Sequence, residues 1–210
     1  MKVAVVGGTG SFGQAVARRL VEAGIEVVIG SRDAERAREA AALVGAAGAT
    51  NEEAVRAADL VVLAVKADAA VETARELRVA IGSTPVLSVA AELAFGPGGV
   101  KPTAKPTSIA QRIQDELDAP VVAGLHSLAA ASLAEQALDE DALLCGDDAD
   151  AKALALELAA KLVTGRAVDA GPLASARALE GMTAVIVNVN KRYKAHAGLR
   201  VTGLPGPGTD

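Results

Sequence analysis

The sequence predicts an α/β fold: a doubly wound, mostly parallel sheet with helices on both faces and a small helical cap part at its C-terminal end. Three observations predict it. Short runs of consecutive apolar residues, the pattern of strands buried on both faces, alternate with longer segments of helical periodicity. Hydrophobic residues make up 51% of the 210-residue chain while aromatics are 1%, so the core has to be Ala, Val and Leu packed on regular elements. A glycine-rich turn follows the first apolar run directly and opens a helix.

Taken in order, Lys2–Val6 is the first strand, because its residues are apolar in succession rather than in alternation. Ser11–Ala23 follows as a helix with a polar outer face. Glu26–Ile29, Leu60–Val65, Val86–Val89 and Val121–Leu125 repeat the strand pattern. Ala34–Val44, Asn51–Ala58, Ala69–Ala80 and Ser108–Leu117 repeat the helical one. Repeated βαβ units imply parallel pairing with right-handed crossovers. Beyond residue 126 the pattern loosens: Ala142–Cys145 and Ala167–Val168 read as short strands, Ala149–Leu162 and Leu173–Lys194 as helices. The acidic run "GDDAD", residues 146 to 150, fits a helix N-terminal cap better than a metal site. Residues 94–108, "AFGPGGVKPTAKPTS", form the longest Pro/Gly-rich connection and are expected to be a mobile loop beside a site. The expected division is a dinucleotide-binding part over 1–125, a sheet extension and helical part closing the cleft over 126–204, and a disordered tail over 205–210.

Composition narrows the function. A chain of this length buries about two-thirds of its unfolded surface, so a real core is expected. The net charge of −5 argues against a general nucleic-acid binder. One cysteine, Cys145, cannot form an internal disulfide, and with two histidines it cannot close a common structural zinc site. No signal-peptide pattern opens the chain, and no apolar run has transmembrane length, so the expectation is a cytoplasmic protein with no membrane partner and no bound metal.

Gly8, Gly10 and Gly13 fit G-x-G-x-x-G between a strand and a helix. In a Rossmann-type fold the first glycine permits the tight turn, the second lets backbone approach a pyrophosphate, and the third lets helix and strand pack closely. The free N–H groups at the helix start then stabilise the anion. At the end of the second strand, "VVIGSRDAERAR" offers Ser31, Arg32 and Arg36 rather than a lone acid. Arginines four residues apart share a helix face and can fork toward one phosphate, which selects NADP over NAD. A solvated helix in which Glu35 and Glu39 screen the arginines is the bland alternative, and the nearby Asp33 argues for it.

The chemistry is less overt. Extended short-chain reductases share a "GGTG" turn but need Tyr with Lys four residues later; the one tyrosine, Tyr193, is followed at 197 by Ala. No Ser/His/Asp or paired-carboxylate arrangement stands out. A scaffold for direct hydride transfer between stacked rings fits this shortage, since the protein supplies position in a water-poor cleft more than acid–base groups.

The blocks "VVGGTGSFG", "VIGSRDAERA", "LHSLAA", "LLCGDD" and "DAGPLASARALEGMTAVIVNVNKRYKAHAGLRVTGL" together resemble the NADPH-dependent coenzyme F420 reductases, from Met1 to about Leu204. The resemblance implies a homodimer that moves hydride between NADP(H) and the 5-deazaflavin of F420. It implies that Thr9, Gly10, Ser11 and Phe12 line the pyrophosphate, and that Ser31, Arg32 and Arg36 hold the 2′-phosphate. Ala67, Val71, Ala91, Leu93 and Ala130 would touch the rest of the cofactor, and His126 would face the cleft where the deazaflavin stacks on the nicotinamide. For positioning there, or for a cation or donor to stabilise negative charge developing on the deazaflavin, His126 and Lys66 are the candidates. The chain departs from the family where many members have Pro-Trp and it has Lys66-Ala67, and where they have a proline and it has Val89. Both positions fall on the expected wall of the second-substrate pocket. An NADPH-dependent reductase of a cyclic imine and a non-catalytic NADP-binding module are the alternatives. The basic group Lys191, Arg192, Lys194 and Arg200 is expected either to favour a helix C-terminus or to attract the anionic tail of F420.

Overall fold

A computed structural model describes residues 1–204. The expected 205–210 tail lies outside the described residues. β1 (Lys2–Val6), α1 (Ser11–Glu22), β2 (Glu26–Ser31), α2 (Ala34–Ala42), β3 (Ala47–Thr50) and α3 (Asn51–Arg56) build one half of the sheet. β4 (Leu60–Leu63), α4 (Ala67–Ile81) and β5 (Val86–Ser88) begin the other. A hairpin, β6 (Leu93–Gly96) and β7 (Gly99–Pro102), precedes α5 (Ile109–Gln114) and β8 (Val121–Gly124). The chain ends with α6 (Ala130–Glu135), β9 (Ala142–Gly146), α7 (Ala149–Ala159), β10 (Ala167–Asp169) and, after a 3-10 turn, α8 (Ala176–Tyr193).

The main sheet has the order β10-β9-β8-β5-β4-β1-β2-β3. Every pair from β8 to β3 is parallel; β9 runs antiparallel to β8, and β10 is parallel to β9. The sheet is therefore continuous across residues 125 and 126. Alternate strand residues feed opposite faces. Val3, Val5, Leu60, Val62 and Val122 join α1, α2, α6 and α7, while Ala4, Val6, Val61, Leu63 and Ala123 join α3, α4, α5 and α8. Both cores are aliphatic, as the scarcity of aromatics requires.

Three elements differ from the expectation. β3 reads "AGAT", whose Ala and Gly have low strand propensity, so the sequence hides it. Its small residues let α2 approach: a Cβ on Gly48 would lie 2.5 Å from the Ala37 carbonyl carbon. Residues 94–108 are not simply a loop, because they contain most of the β6–β7 hairpin, turned through Pro97 and Gly98 with Gly99 at φ +101°. α6 is a helix of six residues whose one buried side chain, Leu133, gives it no periodic pattern of its own. Asp148 caps α7 through the Ala151 N–H at 2.8 Å, as "GDDAD" suggested.

α8 is tied across the molecule. The buried Glu180 accepts from the Ala110 N–H in the first turn of α5 at 3.2 Å, and its burial pushes its pKa up to about 7. No helix among the described residues is long and apolar enough to cross a membrane.

Candidate active site

The strand order reverses between β1 and β4: the chain winds outward to β3, then returns past β1 to continue through β4 and β5. Ligands of open α/β sheets bind at such a switch point, outside the carboxyl ends of the strands. Here that crevice receives the turns after β1, β4, β5 and β8.

The glycines divide the labour differently from the expectation. Gly7, not Gly8, takes the left-handed conformation of the turn, at φ +84°. Gly8 serves close packing, since a Cβ there would sit 2.8 Å from the Ile29 side chain and 3.0 Å from the Val5 carbonyl. Gly13 also packs closely, with 2.6 Å to the Gly7 carbonyl. Gly10 alone of these opens outward: its Cβ would meet only the Gly7 carbonyl, at an ordinary 3.4 Å. α1 begins at Gly10 with no side-chain cap and no acid in its first turn, so its leading N–H groups and its dipole are available to an anion. The cradle fits a pyrophosphate. Thr9 and Ser11 are exposed beside it.

At the end of β2 the acid that argued against a phosphate is accounted for. Asp33 is the N-cap of α2, accepting from the Glu35 and Arg36 N–H groups at 2.9 and 3.3 Å. Glu35 pairs with Arg38, leaving Arg32 and Arg36 exposed without an ion pair among the described residues. Ser31 and Arg32 border a recess of about 430 Å³ with Thr50, Asn51 and Glu76. Asn51 went unnoticed in the sequence because β3 did; its side-chain oxygen is buried without a partner, against Gly30.

A second recess, about 260 Å³, brings together Phe12, Ala67, Ala91, Leu93 and His126 with the departing residues Lys66 and Val89. Thr183 of α8 joins them. The sequence placed it inside a long helix with nothing to mark it as functional. Ser11 and Ala130 meet instead in a groove between α1 and α6. Val71 borders none of these recesses and packs on the α3–α4 core.

His126 needs a correction as an electrostatic candidate. It stands in the cleft wall at 7% exposure, with Nε2 3.3 Å from the Ala90 carbonyl. Burial drives its pKa down to about 4, so near pH 7 the ring is neutral and its Nε2–H donates to Ala90. Near pH 7 it is therefore not a cation. Lys66, exposed at the head of α4, is the cation on this rim. The basic group at the C-terminal end also separates: Lys191 lies over the Phe95 ring, 5.7 Å from its centroid, while Arg200 pairs with Asp139.

A doubly wound sheet, an uncapped glycine turn at the switch point and two exposed arginines after β2, free of ion pairs among the described residues, define a dinucleotide-binding protein of the Rossmann class, built for NADP. Comparison with known proteins narrows this. A family model described as NADP oxidoreductase coenzyme F420-dependent matches residues 2–92. The F420-dependent NADP reductase of Methanothermobacter thermautotrophicus is 35% identical over 98% of this chain and 96% of its own; that of Methanocaldococcus jannaschii is 31% identical over 97% and 99%. The chain belongs to the F420-dependent NADP reductase family. A crystal structure from Arthrobacter sp. FB24 carrying an F420-dependent NADP-reductase assignment shares the fold, with TM-score 0.79 and 24% identity over 96% of this chain and 99% of that one. A Streptomyces aurantiacus imine reductase shares it more distantly, with TM-score 0.60 and 20% identity over 92% and 62%.

Proposed function

We propose that this chain transfers a hydride between NADPH and the 5-deazaflavin of coenzyme F420. The observation that carries the reading is the ring cleft: it joins the glycine turn at the switch point, its wall is mostly small and apolar, and its buried histidine is neutral at working pH. Such a cleft aligns two planar rings and excludes water, which is what direct hydride transfer asks of a protein. Full-length similarity to F420-dependent NADP reductases supports the same substrates.

In this reading Thr9, Gly10, Ser11 and Phe12 line the pyrophosphate, Gly8 and Gly13 form its cradle by letting strand and helix pack closely, and Ser31, Arg32 and Arg36 hold the 2′-phosphate. Ala67, Ala91 and Leu93 in the ring cleft and Ala130 in the groove between α1 and α6 border the rest of NADP, which supplies the hydride chemistry when bound; Val71, packed on the α3–α4 core, has no part in this reading. His126 is a positioning residue, and Lys66 is the group able to stabilise negative charge developing on the deazaflavin. Residues 1–125 carry the dinucleotide and 126–204 close the cleft. The likeness to an imine reductase is at fold level and gives that alternative no added support.

The same proposal includes a cytoplasmic homodimer. Val185 on α8, Phe95 on the hairpin and Tyr193 at the end of α8 are 55%, 71% and 73% exposed, apolar surface that a second copy could cover. Cys145 is buried and unpaired, with its thiol pushed up to about 11 by burial, so the fold needs no oxidising compartment. Mixing the protein with NADPH and F420 and following the deazaflavin absorbance tests the activity: loss of the band in step with NADPH oxidation supports it, and an unchanged band overturns it.

A further inference from the structure

Between β5 and β6 the chain runs without regular structure over residues 89–92, and this segment makes much of the ring-cleft wall. Val89, Ala90 and Ala91 border the recess, as does Leu93, the first residue of β6. Alanine side chains are short and carry no polar atoms, so such a wall cannot fix its own position. Other groups have to hold its backbone. At the β5 end the Val89 N–H donates to the Leu63 carbonyl at 3.4 Å, and in the middle the Ala90 carbonyl accepts from His126 Nε2 at 3.3 Å. Both are long for hydrogen bonds of their kind.

The firm end is Glu92. Successive side chains of an extended chain point to opposite faces, so Ala91 and Leu93 line the cleft while Glu92, between them, takes no part in its wall. Its carboxylate meets three donors instead. Oε1 accepts from Lys105 Nζ at 2.8 Å, and Oε2 accepts from Thr103 Oγ1 and from Arg112 Nη2, each at 3.1 Å. The Glu92 carbonyl adds a fourth tie, accepting from the Thr103 N–H at 3.3 Å and so closing the open end of the β6–β7 hairpin.

The arms of this clasp are unequal. The Lys105 side chain is 53% exposed, and a flexible ammonium in water adds little. Arg112 is half as exposed, at 25%, and its Nε also donates to the Ser108 carbonyl at 3.4 Å, so the guanidinium is oriented before it meets the carboxylate. It stands on α5, whose Ile109, Ala110 and Ile113 are buried in the core. Glu92 thus connects a wall of small side chains to a helix that the core fixes.

We propose that Glu92 is a positioning residue for hydride transfer: its carboxylate, held by Arg112 of α5 together with Thr103 and Lys105, sets the place of the wall over residues 89–93 against which the reacting rings align. The inference rests on the hydride-transfer reading above. It gives neither ring sole claim to the wall, and it leaves the arginine end of the nucleotide site, after β2, independent of Glu92.

Glu92→Ala, Arg112→Ala, their double variant and Glu92→Gln test this in the full chain. Two measurements are compared: binding of adenosine 2′,5′-bisphosphate, which has the adenosine and 2′-phosphate of NADP but no nicotinamide, and the single-turnover rate of F420 reduction with NADPH and F420 both saturating. Bisphosphate affinity should match the wild type in every variant, which also reports that each is folded. The transfer rate should fall about tenfold in Glu92→Ala and about threefold in Arg112→Ala, within the roughly 10²-fold that a misplacement of about 1 Å can cost. The double variant should be no slower than Glu92→Ala, because Arg112 acts through that carboxylate. Glu92→Gln keeps an accepting oxygen and should recover part of the loss. A merely structural role would lower Tm or bisphosphate affinity and leave the transfer rate of the bound, folded enzyme as it was. Unchanged rates, additive losses, a Glu92→Gln no faster than Glu92→Ala, or bisphosphate affinity lost in step with rate would overturn the inference. Should Glu92→Ala fail to fold, Arg112→Ala opens the same clasp from outside the segment and decides the matter by its rate. Failure of the wild-type protein to reduce F420 overturns the functional reading and this inference with it; an active wild type with indifferent variants overturns the inference alone.

Discussion

The side-chain amide of Asn188 pairs with the backbone of Val100 as a neighbouring strand would, accepting from its N–H at 2.8 Å and donating to its carbonyl at 2.6 Å. One side chain of α8 therefore pins the β6–β7 hairpin, whose other strand carries Leu93 into the ring cleft. Asn188→Ala should loosen the hairpin locally by about 1–3 kcal/mol. Hydrogen exchange at the Val100 amide should accelerate by one to two orders of magnitude, with exchange in β1 and β4 unaffected. Uniform acceleration across the sheet would mean that Asn188 supports the whole fold instead.

Gly10 and Gly13 should separate binding from folding. A methyl on Gly10 meets only one atom, at 3.4 Å, so Gly10→Ala should fold normally yet lose NADPH affinity, because the methyl stands where the pyrophosphate lies. Gly13→Ala drives its Cβ to 2.6 Å from the Gly7 carbonyl, between backbone segments that cannot give way, and should lower Tm sharply before binding is measurable. Thermal melts with and without NADPH check both. Normal NADPH binding by Gly10→Ala would leave that glycine a purely geometric role.

Arg32 and Arg36 form no ion pair among the described residues, and Asp33 is spent on the helix cap, so the 2′-phosphate is the natural partner of the arginines. Arg32→Ala should cost NADPH a charge-assisted contact of about 1.5–3 kcal/mol, raising its KM at least about tenfold while barely changing that of NADH. Steady-state kinetics with both nucleotides decide it; equal losses contradict the assignment.

The buried His126 makes a pH prediction with a definite sign. Its folded pKa, about 4, lies below its ordinary value of 6.5. The stability it contributes by staying neutral is fully present above pH 6.5 and is lost as pH falls toward 4, by about 2 kcal/mol between pH 7 and 5. Glu180 works oppositely: its pKa, raised to about 7, gives stability that is full below 4.5 and lost as pH rises through 7. The two partly cancel in the wild type, so the comparison is with His126→Asn. Denaturant titrations should show the variant's stability falling less steeply below pH 6.5 than the wild type's. Parallel profiles would mean that His126 titrates in the folded protein as it does in the unfolded chain.

Most of the sheet could be read from residues because β1, β4, β5 and β8 are buried on both faces and spell their burial as unbroken apolar runs. β3 could not, since "AGAT" owes its strand to the close approach of α2 rather than to side chains that favour extension. The β6–β7 hairpin was masked by Gly96, Pro97, Gly98 and Gly99, which look like a loop until Asn188 is found holding the next residue. At the site, the glycine spacing marked the cradle but assigned the turn to Gly8; only the backbone shows that Gly7 makes it. Thr183 carried no local signal, because it reaches the His126 carbonyl from a helix distant in sequence.

In the proposed reaction the cleft positions two rings for direct transfer, and no protein group relays the hydrogen. The decisive measurement is single-turnover reduction of F420 by NADPH carrying deuterium at the transferred position of the nicotinamide, in ordinary water, with the product analysed by mass spectrometry. The prediction is that each reduced deazaflavin retains the deuterium that NADPH lost. Reduced F420 without the label would show that the hydrogen passes through an exchanging group, and the direct-transfer cleft would be refuted.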